Sequence, residues 1–313
     1  MAGPDDPRPR ETRATVGDLG ERALLARIFA TLEGSSRAEV GPGDDAAVLT
    51  VSGARVVVST DTLVHGPDFR LTWSSGFDLG FKAAAVNLAD IAAMGAHPIA
   101  LFVALMLPDE TAVDLVAQVA VGLRAACDEL APGCAVEGGD LAASDTLAIA
   151  VTVVGVVGSA GPVLRSGARP GDVVAVAGAL GPAARGLALL FERFCDEAGV
   201  PVPVDAVALT ASESDDLVAQ LRPRPPIGLG PVAAAAGATA MMDVSDGLLL
   251  DATRMAEASG ATIDLDLGLD DDALRGGEDH ALLACFPADV ELPAGFRSIG
   301  RVLPRGVHAV TIA

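Results

Sequence analysis

The apolar and polar positions fall into short blocks whose period switches along the chain. Leu19, Leu24, Leu25, Ile28, Phe29 and Leu32 recur at helical spacing and predict a helix over Asp18–Leu32. Ala46–Val51 and Arg55–Ser59 are β-rich runs divided by Ser52-Gly53, the pattern of a hairpin. Asp78–Met94 reads as a long Ala-rich helix stopped by Gly95, with Pro98 close behind. Ile99–Leu107 predicts a strand that Pro108 ends, and Glu110–Leu130 an amphipathic helix. Ala135–Glu137 leads into Gly138-Gly139-Asp140, and Thr146–Val157 is a further strand. The composition then turns to Gly, Pro and Arg over Gly158–Gly171, where we place a boundary. The expected division is a flexible leader over 1–17, a first domain over 18–162 and a second over 163–313.

Beyond the boundary the mixed pattern resumes. Asp172–Ala177 predicts a strand, Pro182–Ala198 a helix and Pro201–Ala211 a loop. Pro223–Pro226 is a stiff segment, and Ile227–Ala236 is helical or irregular. Ala240–Asp243 is a short strand and Gly247–Ser259 a helix. Ala261–Leu267, Ala281–Phe286 and Arg297–Val302 complete the strands. Strands alternating with helices through Gly-rich turns mean an α/β or α+β protein.

Composition narrows the chemistry. Of 313 residues, 42 are acidic and 21 basic, for a net charge of −21. That balance argues against nucleic acid or an anionic membrane as partner. It leaves room for small phosphates brought in by divalent cations. Lys82 is the sole lysine and follows Phe81, so the Gly-Lys-Ser/Thr of a Walker A loop is absent. The cysteines, Cys127, Cys134, Cys195 and Cys285, show no CxxC spacing, and the four histidines show no HExxH. Thr146–Leu164 carries no charge, yet Gly155, Gly158, Gly161 and Pro162 interrupt it, and it reads as a strand and turn. The N-terminus shows no apolar signal region, so the expected location is the cytoplasm.

The acids gather in short motifs at the ends of apolar runs: Gly43-Asp44-Asp45-Ala46, Ser59-Thr60-Asp61, Asn87-Leu88-Ala89-Asp90, Gly138-Gly139-Asp140, Asp243-Val244-Ser245-Asp246-Gly247 and Gly276-Gly277-Glu278-Asp279. A carboxylate beside glycine at a loop rim has little steric cover, and hard cations want such oxygens. Any one motif is also an ordinary turn. Asp90 sits among Leu88, Ile91 and Met94 on a helix, so it is either on a solvated face or a deliberate ligand. Arg165, in Leu164-Arg165-Ser166-Gly167, either forks onto a phosphate or forms a surface salt bridge. Ser245 either caps the following helix or belongs to an anion-binding turn.

Taken in order, these motifs resemble the thiamine-monophosphate kinase family of the aminoimidazole ribonucleotide synthetase superfamily, from about Asp18 to Gly300. The fullest stretches are Gly43–Leu49, Ser59–Val64, Lys82–Ala96, Gly138–Asp140, Arg165–Ala168, Asp243–Leu248 and Gly276–Asp279. The resemblance implies a two-domain fold, with an N-terminal half that dimerises into a shared β-barrel and a C-terminal α/β half that closes the site. It implies transfer of a phosphoryl group from ATP to thiamine monophosphate with several Mg²⁺ ions. On this chain Asp45, Ser59, Thr60, Asp61, Asp90, Asp140, Asp243 and Asp246 would be metal ligands, with Asp90, Asp140 and Asp246 central to catalysis. Gly139, Asp140, Arg165 and Ser245 would contact ATP, and the resemblance favours Asp45 over Asp44. Glu278 would face the substrate, as would Asp68, which stands before Phe69 where the family usually carries His. The segment between Ile263 and Gly276 is shorter than in the family, without its additional helix. Val310-Thr311-Ile312-Ala313 lacks the family's aromatic Gly-x-x-His-Phe ending. A sister enzyme with another acceptor, or a weakened nucleotide binder, is the alternative reading.

Overall fold

The Ala-rich helix runs Gly76–Ala93 (α1) in a computed structural model that describes residues 39–40, 44–51, 53–266 and 268–312. The expected leader and the helix over Asp18–Leu32 lie outside the described residues. Ser75 and Asp78 start α1 with a capping box: Asp78 N–H donates to Ser75 Oγ (3.2 Å) and Ser75 N–H to Asp78 Oδ2 (3.0 Å). Fifteen of its eighteen residues are buried. Such all-round burial belongs to a helix with no solvent side. Strands of both sheets flank α1, and a second helix, Val113–Leu130 (α2), lies along it. Gly80 and Gly122 permit that approach. A Cβ on Gly80 would stand 2.0 Å from the Val119 carbonyl oxygen, and one on Gly122 2.1 Å from that of Phe77.

The first sheet has five strands in the order β1-β2-β5-β3-β4. They are Ala47–Val51 (β1), Ala54–Val64 (β2), Ala96–Leu107 (β3), Ala135–Ala143 (β4) and Ala148–Val157 (β5). β1 and β2 form the expected hairpin, with Val48 opposite Val57. β2 runs five residues beyond the expected end at Ser59, because Thr60, Thr62 and Val64 keep pairing with β5. Ser59, Thr60 and Asp61 therefore lie inside a strand and not at its end. Pro98 does not precede β3 but sits within it, beside a register shift between Pro98 and Ala100, where a missing N–H is tolerated. Gly138-Gly139-Asp140 is likewise strand, paired in parallel with β3.

The second sheet has six strands, β11-β8-β10-β6-β9-β7: Val173–Ala177 (β6), Ala240–Val244 (β7), Ala261–Leu265 (β8), Ala281–Phe286 (β9), Phe296–Pro304 (β10) and Val310–Ile312 (β11). Among the described strands β3–β4 and β8–β11 pair in parallel and the rest antiparallel. Helix Leu248–Ser259 (α6) packs on this sheet, whereas Leu229–Ala235 (α5) packs against α1 and β3. An apolar core joins α1 and the first sheet to Ala175, Met241 and Leu282 of the second. Among the described residues, no helix is long and apolar enough to cross a membrane.

Several helices differ from expectation. Pro182–Arg193 (α3) stops before Cys195, where the Asp196 side chain accepts from Ala198 and Val200 N–H and turns the chain back. Ala211–Leu221 (α4) arises in a stretch with few apolar residues, on a Thr210/Glu213 capping box. Asp271–Arg275 (α7) is one short helix within the segment between Ile263 and Gly276, capped by Asp270.

Candidate active site

The central position of α1 decides where its polar residues go. Asp90 lies one turn from the C-terminal end, with Ile91 and Leu88 fully buried beside it. β2 brings Ser59 to the same place: its hydroxyl donates to Asp90 Oδ2 (2.7 Å), and the Asp45 carbonyl oxygen is 3.2 Å away. Asp45 precedes β1 and meets Arg165 from the far side of the chain in a close ion pair. Arg165 Nε also lies 3.4 Å from Asp44 Oδ1. So both members of the Asp44-Asp45 pair face the one guanidinium, and the arginine is neither a surface bridge nor a free fork. Asp45 Oδ2 is buried with no hydrogen-bond partner among the described residues.

Asp243 enters from the end of β7 and accepts a hydrogen bond across 2.9 Å from His280 Nδ1. Burial pushes the carboxyls of Asp45 and Asp90 well above the usual range, and the Asp243 charge raises both further. Asp61 is raised too, chiefly by burial, and feels the charges of His280, Asp68 and Glu278. For His280, burial lowers the pKa, but the hydrogen bond and charge of Asp243 outweigh it and the ring is held more basic than usual. The result is a group of like charges, Asp45, Asp61, Asp90 and Asp243, where the two sheets meet. Such a group is costly unless cations share it.

The loop after α7 completes the arrangement. Glu278 (φ 73°) and His280 (φ 53°) both occupy the left-handed region that non-glycine residues avoid. What holds them is a set of main-chain bonds: Glu278 N–H donates to the Ser245 carbonyl (2.8 Å) and His280 N–H to that of Val244 (3.1 Å). Between them Asp279 accepts from Gly181 (2.6 Å) and Ala183 (3.0 Å) N–H at the start of α3. Glu278 Oε2 is 2.6 Å from Lys82 Nζ of α1. Burial works against the Glu278 charge, but the Lys82 ammonium outweighs it and holds the carboxyl below its ordinary range.

Other expected residues stand elsewhere. Strand alternation turns Thr60 away from Ser59 and Asp61. Its hydroxyl donates to the Val151 carbonyl (3.0 Å) and accepts from Thr152 (3.1 Å). Asp140 registers with Ala104, which pairs Ala150 and so Thr62, the face opposite Asp61. It is exposed, as is all of β4. A Cβ on the adjacent Gly139 would stand 1.9 Å from the Val103 carbonyl oxygen. Asp246 is pulled outward by Arg254 (2.6 Å). Arg254 also holds the buried Asp251 (2.7 Å), whose carboxyl burial raises to about 6. Ser245 is not the helix cap, because Gly247 (φ 108°) takes that position two residues later. Asp68 accepts from Val64 N–H (2.7 Å) and closes the turn after β2.

Lys82 and His280 are site residues that motif reading passed over. For Lys82 the signal was a charge inside an Ala-rich helix; for His280 it was a position directly after Glu278-Asp279. Among the described residues no three acidic, histidine or cysteine side chains converge into a ready metal cage. The donor set still fits Mg²⁺, which takes one or two carboxylates and fills its remaining positions with water and phosphate oxygens. The unpartnered Asp45 Oδ2 is an oxygen of that kind.

Comparisons with known proteins agree with this architecture. The family model described as AIR synthase related protein, N-terminal domain, matches residues 43–157, and its C-terminal counterpart matches 169–295. Thiamine-monophosphate kinase of Mycobacterium tuberculosis is 42% identical over 308 residues, covering 92% of this chain and 86% of that protein. The Corynebacterium glutamicum enzyme is 41% identical over 309 residues, covering 92% and 87%. Among solved structures, AaThiL complexed with AMPPCP and TMP superposes with a TM-score of 0.83 at 30% identity, covering 96% of each chain. Thiamine monophosphate kinase from Aquifex aeolicus gives 0.77 at 30% identity, over 92% of this chain and 95% of that one. This chain belongs to the thiamine-monophosphate kinase family.

Proposed function

We propose that the chain transfers the terminal phosphoryl group of ATP to thiamine monophosphate, yielding thiamine diphosphate and ADP. The observation that carries this reading is the like-charged group of Asp45, Asp61, Asp90 and Asp243 on Ser59 and Arg165, where both sheets meet. It is supported by the solved relative complexed with AMPPCP, an ATP analogue, and TMP. The acceptor is a phosphate monoester, already anionic near neutral pH. No strong general base is required, which suits a site whose one buried imidazole is engaged with Asp243.

The obstacle is bringing two anions together. Mg²⁺, when bound, screens that repulsion and aligns the oxygens for in-line transfer. Asp45, Asp90 and Asp243 would hold it, with Ser59 orienting Asp90 and Asp61 at the rim. Asp246 would join on release from Arg254. Arg165, paired with Asp44 and Asp45, carries the guanidinium that would fork onto a phosphate. Ser245 offers its main chain beside Glu278. Thr60 contributes through strand pairing in this reading, and Asp68 by shaping the turn at the substrate side.

Gly139 and Asp140 lie on the exposed edge strand β4, with Phe102, Val136 and Leu141 uncovered around it. An unpaired edge beside apolar surface supports a homodimer closing a shared barrel, and the roles expected of Asp140 depend on that second copy. Residues 18–162 would form the nucleotide-binding and dimerising half, and 163–313 the half that covers it. The four free cysteines fit a cytoplasmic setting.

The test is incubation with ATP, Mg²⁺ and thiamine monophosphate, followed by chromatography. Thiamine diphosphate should appear, and a chelator should abolish it. Protein that binds Mg-ATP but forms no diphosphate would overturn the reading.

A further inference from the structure

Lys82 is unusual in composition and in place. Twenty of the chain's 21 basic residues are arginine, so arginine serves wherever a generic cation is needed. The one lysine is 5% exposed, inside a helix whose next three residues are alanine. Its ammonium has three donors, and three acceptors surround it. Glu278 Oε2 is 2.6 Å away and the Gln220 main-chain carbonyl 3.2 Å. With the Gln220 amide turned so that its nitrogen donates to the Ala183 carbonyl (3.0 Å), its side-chain oxygen is the third acceptor, at 3.2 Å. A planar guanidinium cannot serve three acceptors converging on one point.

Two of those acceptors anchor the ammonium to the end of α4. The third is a carboxylate that this anchoring holds in place. Glu278 sits on a backbone strained to φ 73°, and its side chain is 43% exposed. Among the described residues nothing else hydrogen-bonds its carboxylate, so Oε1 is left open. Asp61 and His280 lie close enough for their charges to act on Glu278 or be acted on by it.

We propose that Lys82 is a positioning residue for acceptor specificity: it occupies one oxygen of Glu278 and thereby presents the other to the cationic, amine-bearing heterocyclic end of the acceptor. The proposal rests on the kinase reading. It also separates the two substrates, because the Glu278 carboxylate would repel a triphosphate and attract a thiazolium or aminopyrimidine. Lys82 itself touches neither.

The experiment is a mutant cycle of Lys82→Met, Glu278→Gln and the double variant, with KM measured for thiamine monophosphate and for ATP. Each single change should raise KM for thiamine monophosphate about tenfold and leave KM for ATP within about twofold. The double variant should be no worse than Glu278→Gln alone, since Lys82 acts through that residue. A parallel rise in both KM values, or a double variant about a hundredfold impaired, would reduce Lys82 to a structural tie and overturn the proposal. If Lys82→Met fails to fold, the double variant against Glu278→Gln carries the test, because it pairs an apolar chain with a neutral amide. Wild-type turnover with unchanged KM in every variant sinks this inference alone; no wild-type turnover sinks the kinase reading and this with it.

Discussion

Asp90→Asn should separate stability from activity in opposite directions. Asparagine matches the shape of aspartate and keeps an acceptor for the Ser59 hydroxyl, so no cavity opens beside Leu88 and Ile91. What changes is charge. Converting a charge-assisted hydrogen bond to a neutral one costs about 1 kcal/mol. Against that, two like charges ~8 Å apart repel by roughly 2 kcal/mol at an effective dielectric of 20. The charges of Asp243, Asp45 and Asp61 all act on Asp90 in this sense, and Arg165 and His280 partly neutralise two of them. The net expectation without metal is a gain of about 1 kcal/mol, or a melting temperature higher by roughly 2 °C. Turnover should fall about 100-fold or more, as when a metal ligand is lost. The assays are thermal unfolding in chelator and thiamine diphosphate formation, run on one preparation. A variant that is less stable than wild type in chelator, yet turns over normally, refutes the reasoning: Asp90 would then be a structural helix residue.

Three further changes probe the frame around the site. Asp251 has its carboxyl raised from 3.8 to about 6, so it contributes stability that is full below pH 3.8 and lost as pH rises through 6. The loss is roughly 3 kcal/mol, and Asp251→Asn should flatten urea-measured stability between pH 4 and 6; an unchanged slope contradicts this. Gly139→Ala should cost about 2 kcal/mol or more, because its Cβ would strike the Val103 carbonyl, whereas Gly138→Ala, whose nearest neighbour is the Phe102 ring at 3.5 Å, should stay within about 0.5 kcal/mol. Equal melting points for the two would show that β3 and β4 do not pair as described. Trp73→Phe removes the indole N–H that donates to the Phe194 carbonyl (3.1 Å) and should lower stability by about 1–3 kcal/mol in thermal unfolding.

Much of the fold was legible because its strands are apolar and its helices begin and end on recognised residues. The run Ala281–Phe286 matches β9 residue for residue, and Gly95 and Gly260 stop α1 and α6 as their types predict. α4 escaped because a capped, largely polar helix leaves no apolar stripe; the Thr210/Glu213 box was its only sign. The overrun of β2 escaped because pairing with β5, a non-local contact, carries Thr60–Val64 as strand. That same extension decides the site. It sets Ser59 and Asp61 on one face and Thr60 on the other, which a motif read as three consecutive letters cannot express. Lys82 and His280 went unseen for a related reason, since each acquires meaning only when the loop at 276–280 meets α1 and β7.

Several features unfavourable to this fold gather in one place. Among the described residues Asp45 Oδ2 lacks a hydrogen-bond partner, Asp243 and the Asp45 side chain are buried, and Glu278 and His280 hold a strained backbone. Most of the remaining interior is alanine, valine and leucine against two sheets, with glycine where helices touch, and its buried acids Asp172, Asp251 and Asp264 accept hydrogen bonds. A protein selected for stability alone would fill the junction with more of the same, since replacing buried ionic groups with apolar ones often stabilises. At the junction the acids outnumber the cations, and Lys82, Arg165 and His280 are each bound to one of those acids. Such a junction is incomplete on its own charge and complete with added cations. This is the electrostatic state required of a site that must bring two phosphate-bearing anions together, and it explains why an acidic chain is suited to handling them.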